Sequence, residues 1–155
     1  MKLERILVPV DFSDNSRKAV EAAVELHKFA SGQLILLYVL EPLVITFGEA
    51  LPTELPTDEK RMVAANVEME KLGRSLSVKM PAETLVLDGT SWDVICDVAD
   101  RKNVDLIVIA SHGYKGLKRF VLGSTAERVV RHAHCPVLVV KPNLDAAGKH
   151  WEPRG

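Results

Sequence analysis

Residues 105–141, DLIVIASHGYKGLKRFVLGSTAERVVRHAHCPVLVVK, decide how the rest of the chain is arranged. The stretch opens on an apolar run, 106–110, too short for a typical helix and rich in β-branched residues, which predicts a buried strand. A loop follows with glycines at 113, 116 and 123, the basic side chains Lys115, Lys118 and Arg119, and the hydroxyl pair Ser124-Thr125. An amphipathic segment over about 125–132 predicts a helix, and the apolar run 137–140 predicts a further strand. Strand, glycine loop, helix, strand is a layout suited to holding phosphate. Glycine lets the backbone come close, and the N–H groups of a helix start point at the anion with the positive end of the helix dipole behind them.

Working outward from this unit, residues 5–10 form another apolar run, a predicted strand ending in Pro9-Val10-Asp11. Ser13 or Asp14 is placed to cap the next helix. Ala19, Ala22, Ala23, Leu26, Phe29 and Ala30 recur there at helical spacing, and Ser31-Gly32 is the expected stop. Residues 34–40 are apolar throughout, as a strand covered on both faces should be. Residues 41–57 form the longest irregular connection, and a helix over 58–76 carries the stripe Met62, Ala65, Met69, Leu72 and Leu76. A third strand, 83–87, turns at Asp88-Gly89 into a helix ending near 103, with Thr90 and Asp93 spaced as a capping box.

Strands alternating with helices predict an α/β fold: a single doubly wound five-stranded parallel sheet with right-handed crossovers and helices on both faces. With strand order 3-2-1-4-5, the winding reverses between the first and fourth strands, and ligands of such folds sit at the carboxyl ends of the strands there. Pro9-Val10-Asp11 and Ala110-Ser111-His112-Gly113 then converge on one crevice. The expected domain is 1–142, with 143–155 a polar tail.

Bulk properties narrow the field. A chain of 155 residues with 47% hydrophobic and 26% charged residues fits one globular domain, and a net charge of -1 supplies no drive toward nucleic acid or anionic membrane. The N-terminal apolar run is interrupted by Pro9 and too short for a signal-peptide core or a membrane span, so a cytoplasmic location is expected. Cys96 and Cys135 form no CxxC pair and are expected to be buried thiols in a reducing compartment. His132, His134 and Cys135 lack the spacing of zinc ligands. A Walker A loop needs four residues between its glycines and a lysine before the hydroxyl; Gly116 and Gly123 are separated by six, and a GxGxxG fingerprint is absent. No nucleophile–base pair is identifiable, and His112 is the nearest candidate base.

The chain resembles the universal stress protein family over nearly its whole length. ILVPVDFSDNS is similar to that family's first strand and acidic turn, and LILLYVL to its second strand. DLIVIASHG, nine residues, GST and then HAHCPVLVVK resemble its fourth strand, nucleotide loop and last strand. The ATP-binding branch carries Gly-x-x-Gly, nine residues, then Gly-Ser or Gly-Thr; Gly113 and Gly123-Ser124 match, while Ala110 replaces the first glycine. Alanine at that position costs roughly 1 kcal/mol or more if positive φ is required, and little if the residue only ends a strand.

The resemblance implies ATP with Mg²⁺ as ligand. Asp11 would meet the ribose hydroxyls or a phosphate-bound Mg²⁺, and the Val39 backbone would face the adenine edge, with Pro9 and Val10 lining the pocket. Ala110, Ser111, His112, Gly113 and Gly116 would follow the ribose and phosphates, and Gly123, Ser124 and Thr125 would hold the terminal phosphates. Tyr38 stands where many relatives carry histidine and is expected to point into the sheet.

Other readings of the same residues stand beside these. Asp11 reads equally as a turn or cap residue, Ser124 with Glu127 has capping-box spacing, and Lys115, Lys118 and Arg119 read as a solvated surface. The function expected is an ATP-binding regulatory protein, acting through nucleotide-dependent conformation or assembly with hydrolysis slow at best. The alternatives are a nucleotide-free interaction module, favoured by Ala110, and a slow ATPase. Val137, Leu138, Val139 and Val140 form a short apolar edge strand, which invites pairing with a second copy, and the resemblance implies a homodimer through it.

Overall fold

The computed structural model describes residues 3–30, 32–44, 56–77, 81–112 and 122–141. The elements run β1 (Arg5–Pro9), α1 (Asp14–His27), β2 (Gln33–Leu40), α2 (Asp58–Ser77), β3 (Ala82–Asp88), α3 (Ser91–Arg101), β4 (Leu106–Ala110), α4 (Ser124–His132) and β5 (Val137–Val140). The five strands form one parallel sheet in the order β3-β2-β1-β4-β5. The α/β architecture and strand order are those read from the sequence.

Alternation along the three central strands divides the interior into two cores. Ile6, Val8, Leu34, Leu36, Leu106, Val108 and Ala110 face α1 and α2, where Ala19, Val20, Ala23 and Met69 meet them. Leu7, Ile35, Leu37, Ile107 and Ile109 face Ile95, Val98 and Ala99 of α3 and Ala126 and Val129 of α4. Each of the Val, Leu, Ile and Met side chains among these contributes roughly 1.5–3 kcal/mol by burial relative to exposure. Covering both faces explains why β2 and β4 read as unbroken apolar runs.

Three local expectations are corrected. Helix α1 ends at His27 with Lys28 as its C-cap, so Phe29 falls outside the helix and is 89% exposed instead of joining the core. Gly32 is needed further on, where the chain crosses the start of β1: Gln33 N–H donates to the Glu4 carbonyl at 2.7 Å, and a Cβ on Gly32 would lie 2.2 Å from that oxygen. Cys96 and Cys135 are half-buried free thiols at the margin of the second core. Burial first, then the carboxylate of Asp100, pushes both thiols above their ordinary pKa; at Cys135, hydrogen bonds to its own backbone and to Ile107 partly offset this. The expected tail, 143–155, and most of the 41–57 connection lie outside the described residues. No helix among the described residues is long and apolar enough to cross a membrane.

Candidate functional site

The site forms where β1 and β4 end side by side. After Pro9 the chain keeps one more sheet bond, Val10 N–H to the Leu37 carbonyl at 2.8 Å, and then turns at Asp11. Asp11 Oδ1 accepts from the Ser13 N–H at 2.9 Å and from the Ser13 hydroxyl, while Ser13 Oγ accepts from Ser16 N–H at 3.1 Å as the N-cap of α1. Asp11 is therefore a turn residue and also lines the cleft described below. Between them, Phe12 adopts φ +62°, a left-handed conformation that costs a non-glycine residue on the order of 1 kcal/mol or more. Its ring stacks on Tyr38, centroids 5.0 Å apart and planes at 24°. Tyr38 thus lies on the α1/α2 face at the rim of the cleft, partnered by an aromatic ring.

The exit of β4 is held on both sides. Ser111 N–H donates to the Val140 carbonyl at 2.9 Å, and the Ser111 carbonyl accepts from Gly123 N–H at 2.7 Å. The chain leaves the strand end at Ser111 and is pinned back onto it twelve residues later. A Cβ on Gly123 would lie 3.0 Å from the Ser111 oxygen and 3.6 Å from His112 Cα, so close approach, not positive φ, requires glycine here. Ala110 pairs with Val140 as the last residue of β4; among the described non-glycine residues only Phe12 and Asn103 have positive φ, so alanine is unstrained at this position. His112 is 8% exposed; its Nδ1 lies 3.0 Å from Ser111 Oγ and its buried Nε2 has no partner among the described residues. Gly113, Gly116, Lys115, Lys118 and Arg119 lie outside the described residues.

Helix starts complete the site, and both capping boxes read from the sequence are corrected. Thr90 is the N-cap of α3 but makes no side-chain cap hydrogen bond; the Ser91 N–H donates instead to Glu41 Oε1 at 3.1 Å, from the far end of β2. At α4 the cap is Gly123, Ser124 is already the first helical residue, and no side-chain cap bond is made among the described residues. Glu127, the supposed partner of Ser124, pairs with Arg131 at 2.9 Å. A glycine cap allows the strand-end contact that a serine Cβ would crowd.

Together these segments enclose a cleft of about 620 Å³. Pro9, Val10, Asp11, Val39, Ala110, Ser111, His112, Gly123, Ser124 and Thr125, all singled out in the sequence, line it. Four charged or aromatic lining residues escaped sequence reading: Glu41, Arg61, Trp92 and Arg128. Arg61 is committed to Asp58 Oδ1 and the Glu41 carbonyl, each at 2.7 Å. Arg128 places its guanidinium carbon 5.8 Å from the Trp92 ring centroid, and His132, one turn on, packs its ring 4.9 Å from the same indole. The local signal for this cluster, an Arg and a His four apart on one helix face, says nothing about the partner ring on α3. His132 Nδ1 lies 2.8 Å from the Arg128 carbonyl and His134 Nδ1 3.1 Å from Asp100 Oδ2, so the two histidines face different partners. An adjoining hollow of about 400 Å³ has the carboxylates of Glu41, Asp58, Glu59 and Asp88 in its lining, which disfavours an anion there.

Chemically, the larger cleft presents an uncapped helix start, a backbone cradle that a Cβ would fill, a carboxylate and apolar walls. The universal stress protein family model matches residues 2–141. Universal stress protein MJ0531 of Methanocaldococcus jannaschii is 36% identical over 143 residues, covering 89% of this chain and 82% of that protein. The solved structure of MJ0577, a protein of the same organism, is similar with a TM-score of 0.77 at 25% identity, covering 92% of this chain and 99% of the other. Two further structures share the fold at 22% identity: a universal stress protein in complex with cAMP, TM-score 0.64, and one from Archaeoglobus fulgidus in complex with dAMP, TM-score 0.66. They cover 90% and 91% of this chain and 98% and 100% of the other chains, respectively. This chain belongs to the universal stress protein family.

Proposed function

We propose that the chain binds ATP in the cleft between β1 and β4 and acts as a regulatory protein through nucleotide-dependent conformation or assembly, with hydrolysis slow at best. The observation that carries this reading is the start of α4. A helix whose first N–H groups have no side-chain cap among the described residues opens onto a cleft of about 620 Å³, at a glycine whose missing Cβ leaves room beside the strand end. Oriented N–H groups and the positive end of the helix dipole favour an anion there. Gly123, Ser124 and Thr125 would hold the terminal phosphates, with Gly113 and Gly116 contributing backbone. Asp11 would take the ribose hydroxyls or Mg²⁺, and the Val39 backbone the adenine edge. Mg²⁺ would supply charge neutralisation of the phosphates. The cAMP and dAMP complexes of two proteins of this fold support a nucleotide as the ligand class. Ala110, lacking backbone strain, does not weigh against it. Isothermal titration with ATP and Mg²⁺ tests the reading: saturable heat at micromolar to millimolar ligand is expected, and its absence at millimolar ATP refutes it.

The same reading includes a homodimer through β5. That strand pairs with β4, and Leu138 at its centre is 40% exposed. A short apolar edge strand with unpaired backbone groups is suited to a second copy. Light scattering is expected to give about twice the 17.1 kDa chain mass, and a monomer mass at micromolar concentration would contradict it.

A further inference from the structure

Resting on the nucleotide reading above, we propose that Arg128 selects the nucleotide by its number of phosphates, and that Trp92 is the positioning residue that holds it ready. The donors at the start of α4 are neutral N–H and hydroxyl groups, which bind one phosphate about as well as they bind the first of three. Discrimination needs a full positive charge. Of the two arginines among the described residues that line the cleft, Arg61 is committed to Asp58 and the Glu41 carbonyl. Arg128 enters no ion pair with another described residue, since its helical neighbour Glu127 is taken by Arg131.

Position follows from helix geometry. Ser124 and Arg128 are four residues apart on α4 and so share one face, and side chains on a helix lean toward its N-terminus. Arg128 therefore leans toward the uncapped helix start. Trp92, in the first turn of α3, carries the guanidinium carbon 5.8 Å from its ring centroid, and both side chains line the cleft. His132 packs on the same indole and limits its rotation. An exposed cation–π contact is weaker than charge-assisted bonds from a guanidinium to phosphate. A terminal phosphate at the cleft thus adds bonds to a guanidinium that the indole face already holds there, whereas a monophosphate at the helix start does not reach it.

The test is titration calorimetry of the full chain with AMP, ADP and ATP, each with Mg²⁺, for the wild type and for Arg128→Gln, Trp92→Ala and Trp92→Phe. Arg128→Gln is expected to weaken ATP by roughly tenfold or more, ADP by less and AMP by under about twofold. Retained AMP binding shows that the variant is folded. Trp92→Ala is expected to narrow the ATP-over-AMP preference, and Trp92→Phe, which keeps an aromatic face, to restore it. Equal losses for AMP and ATP in Arg128→Gln, or an unchanged ATP-over-AMP ratio, overturn the role of Arg128 while leaving nucleotide binding intact. A full preference in Trp92→Ala removes Trp92 as the positioning residue. A wild type that binds none of the three overturns the nucleotide reading itself, and this inference with it.

Discussion

Helices α3 and α4 start at the same end of the sheet, pack on the same core and line the same cleft, yet their first turns are completed in different ways. At α3 the protein supplies its own anion: Glu41 reaches from the end of β2 to the Ser91 N–H. At α4 the cap is a glycine pressed against the end of β4, and no side chain takes the cap position. The electrostatics of a helix start are the same in both places, so the difference lies in what fills them. One start is finished by folding. The other has no side-chain cap among the described residues, and the proposed phosphate end of the cleft rests on this contrast.

The contrast breaks most severely at Gly123. Gly123→Val places a branched side chain against the Ser111 carbonyl, where even a Cβ would lie at 3.0 Å. Overpacking of this kind costs about 1–3 kcal/mol of stability. Displacing the first N–H groups of α4 removes charge-assisted bonds worth roughly 1.5–3 kcal/mol each, so ATP affinity is expected to fall about a hundredfold or more by calorimetry. Urea denaturation beside the titration separates the two effects.

Glu41→Gln probes the closed start. The neutral amide still reaches Ser91 but loses the charge interaction with the dipole, so a stability loss of about 0.3–1 kcal/mol is expected, read as a shift in the denaturation midpoint. Nucleotide affinity should change little. An ATP loss as large as that of Gly123→Val would mean that the two helix starts do not have separate roles.

The smallest effects concern the two hydroxyls that sequence spacing assigned to caps. A true cap replaced by alanine costs about 1 kcal/mol. Because neither Thr90 nor Ser124 makes a side-chain cap bond, Thr90→Ala and Ser124→Ala are each expected to change stability by under about 0.5 kcal/mol. Only Ser124→Ala should weaken ATP, by a few-fold. A full-sized stability loss in Ser124→Ala would show that the hydroxyl caps α4 in solution and would blur the comparison.

Much of the site was legible because it lies at strand ends. Unbroken apolar runs identify β1, β2 and β4, the α/β alternation constrains their order, and Pro9, Asp11 and Ala110 through His112 then fall at one crevice. Glycine at 123 was equally readable, although its reason is contact with the Ser111 carbonyl rather than a special backbone angle. Phe29 misled because a helical period continues in sequence past the residue where the helix stops. The two capping boxes misled because spacing registers a hydroxyl and a carboxylate three apart, and cannot register a competing partner elsewhere in the chain.

Hydrophobic periodicity is a short-range property, written within each segment, and it was enough to read the α/β class and the strands whose ends line the cleft, while the family resemblance came from motif residues and their spacing. Partner choice is long-range. Glu41 meets Ser91 across 50 positions, and Trp92 meets Arg128 between two helices that touch only once both have packed on the second core. Which helix start is sealed, which is left open, and where the cleft's uncommitted arginine rests were therefore decided by packing, because hydrogen bonds and ring contacts go to whatever the folded backbone brings within a few ångströms.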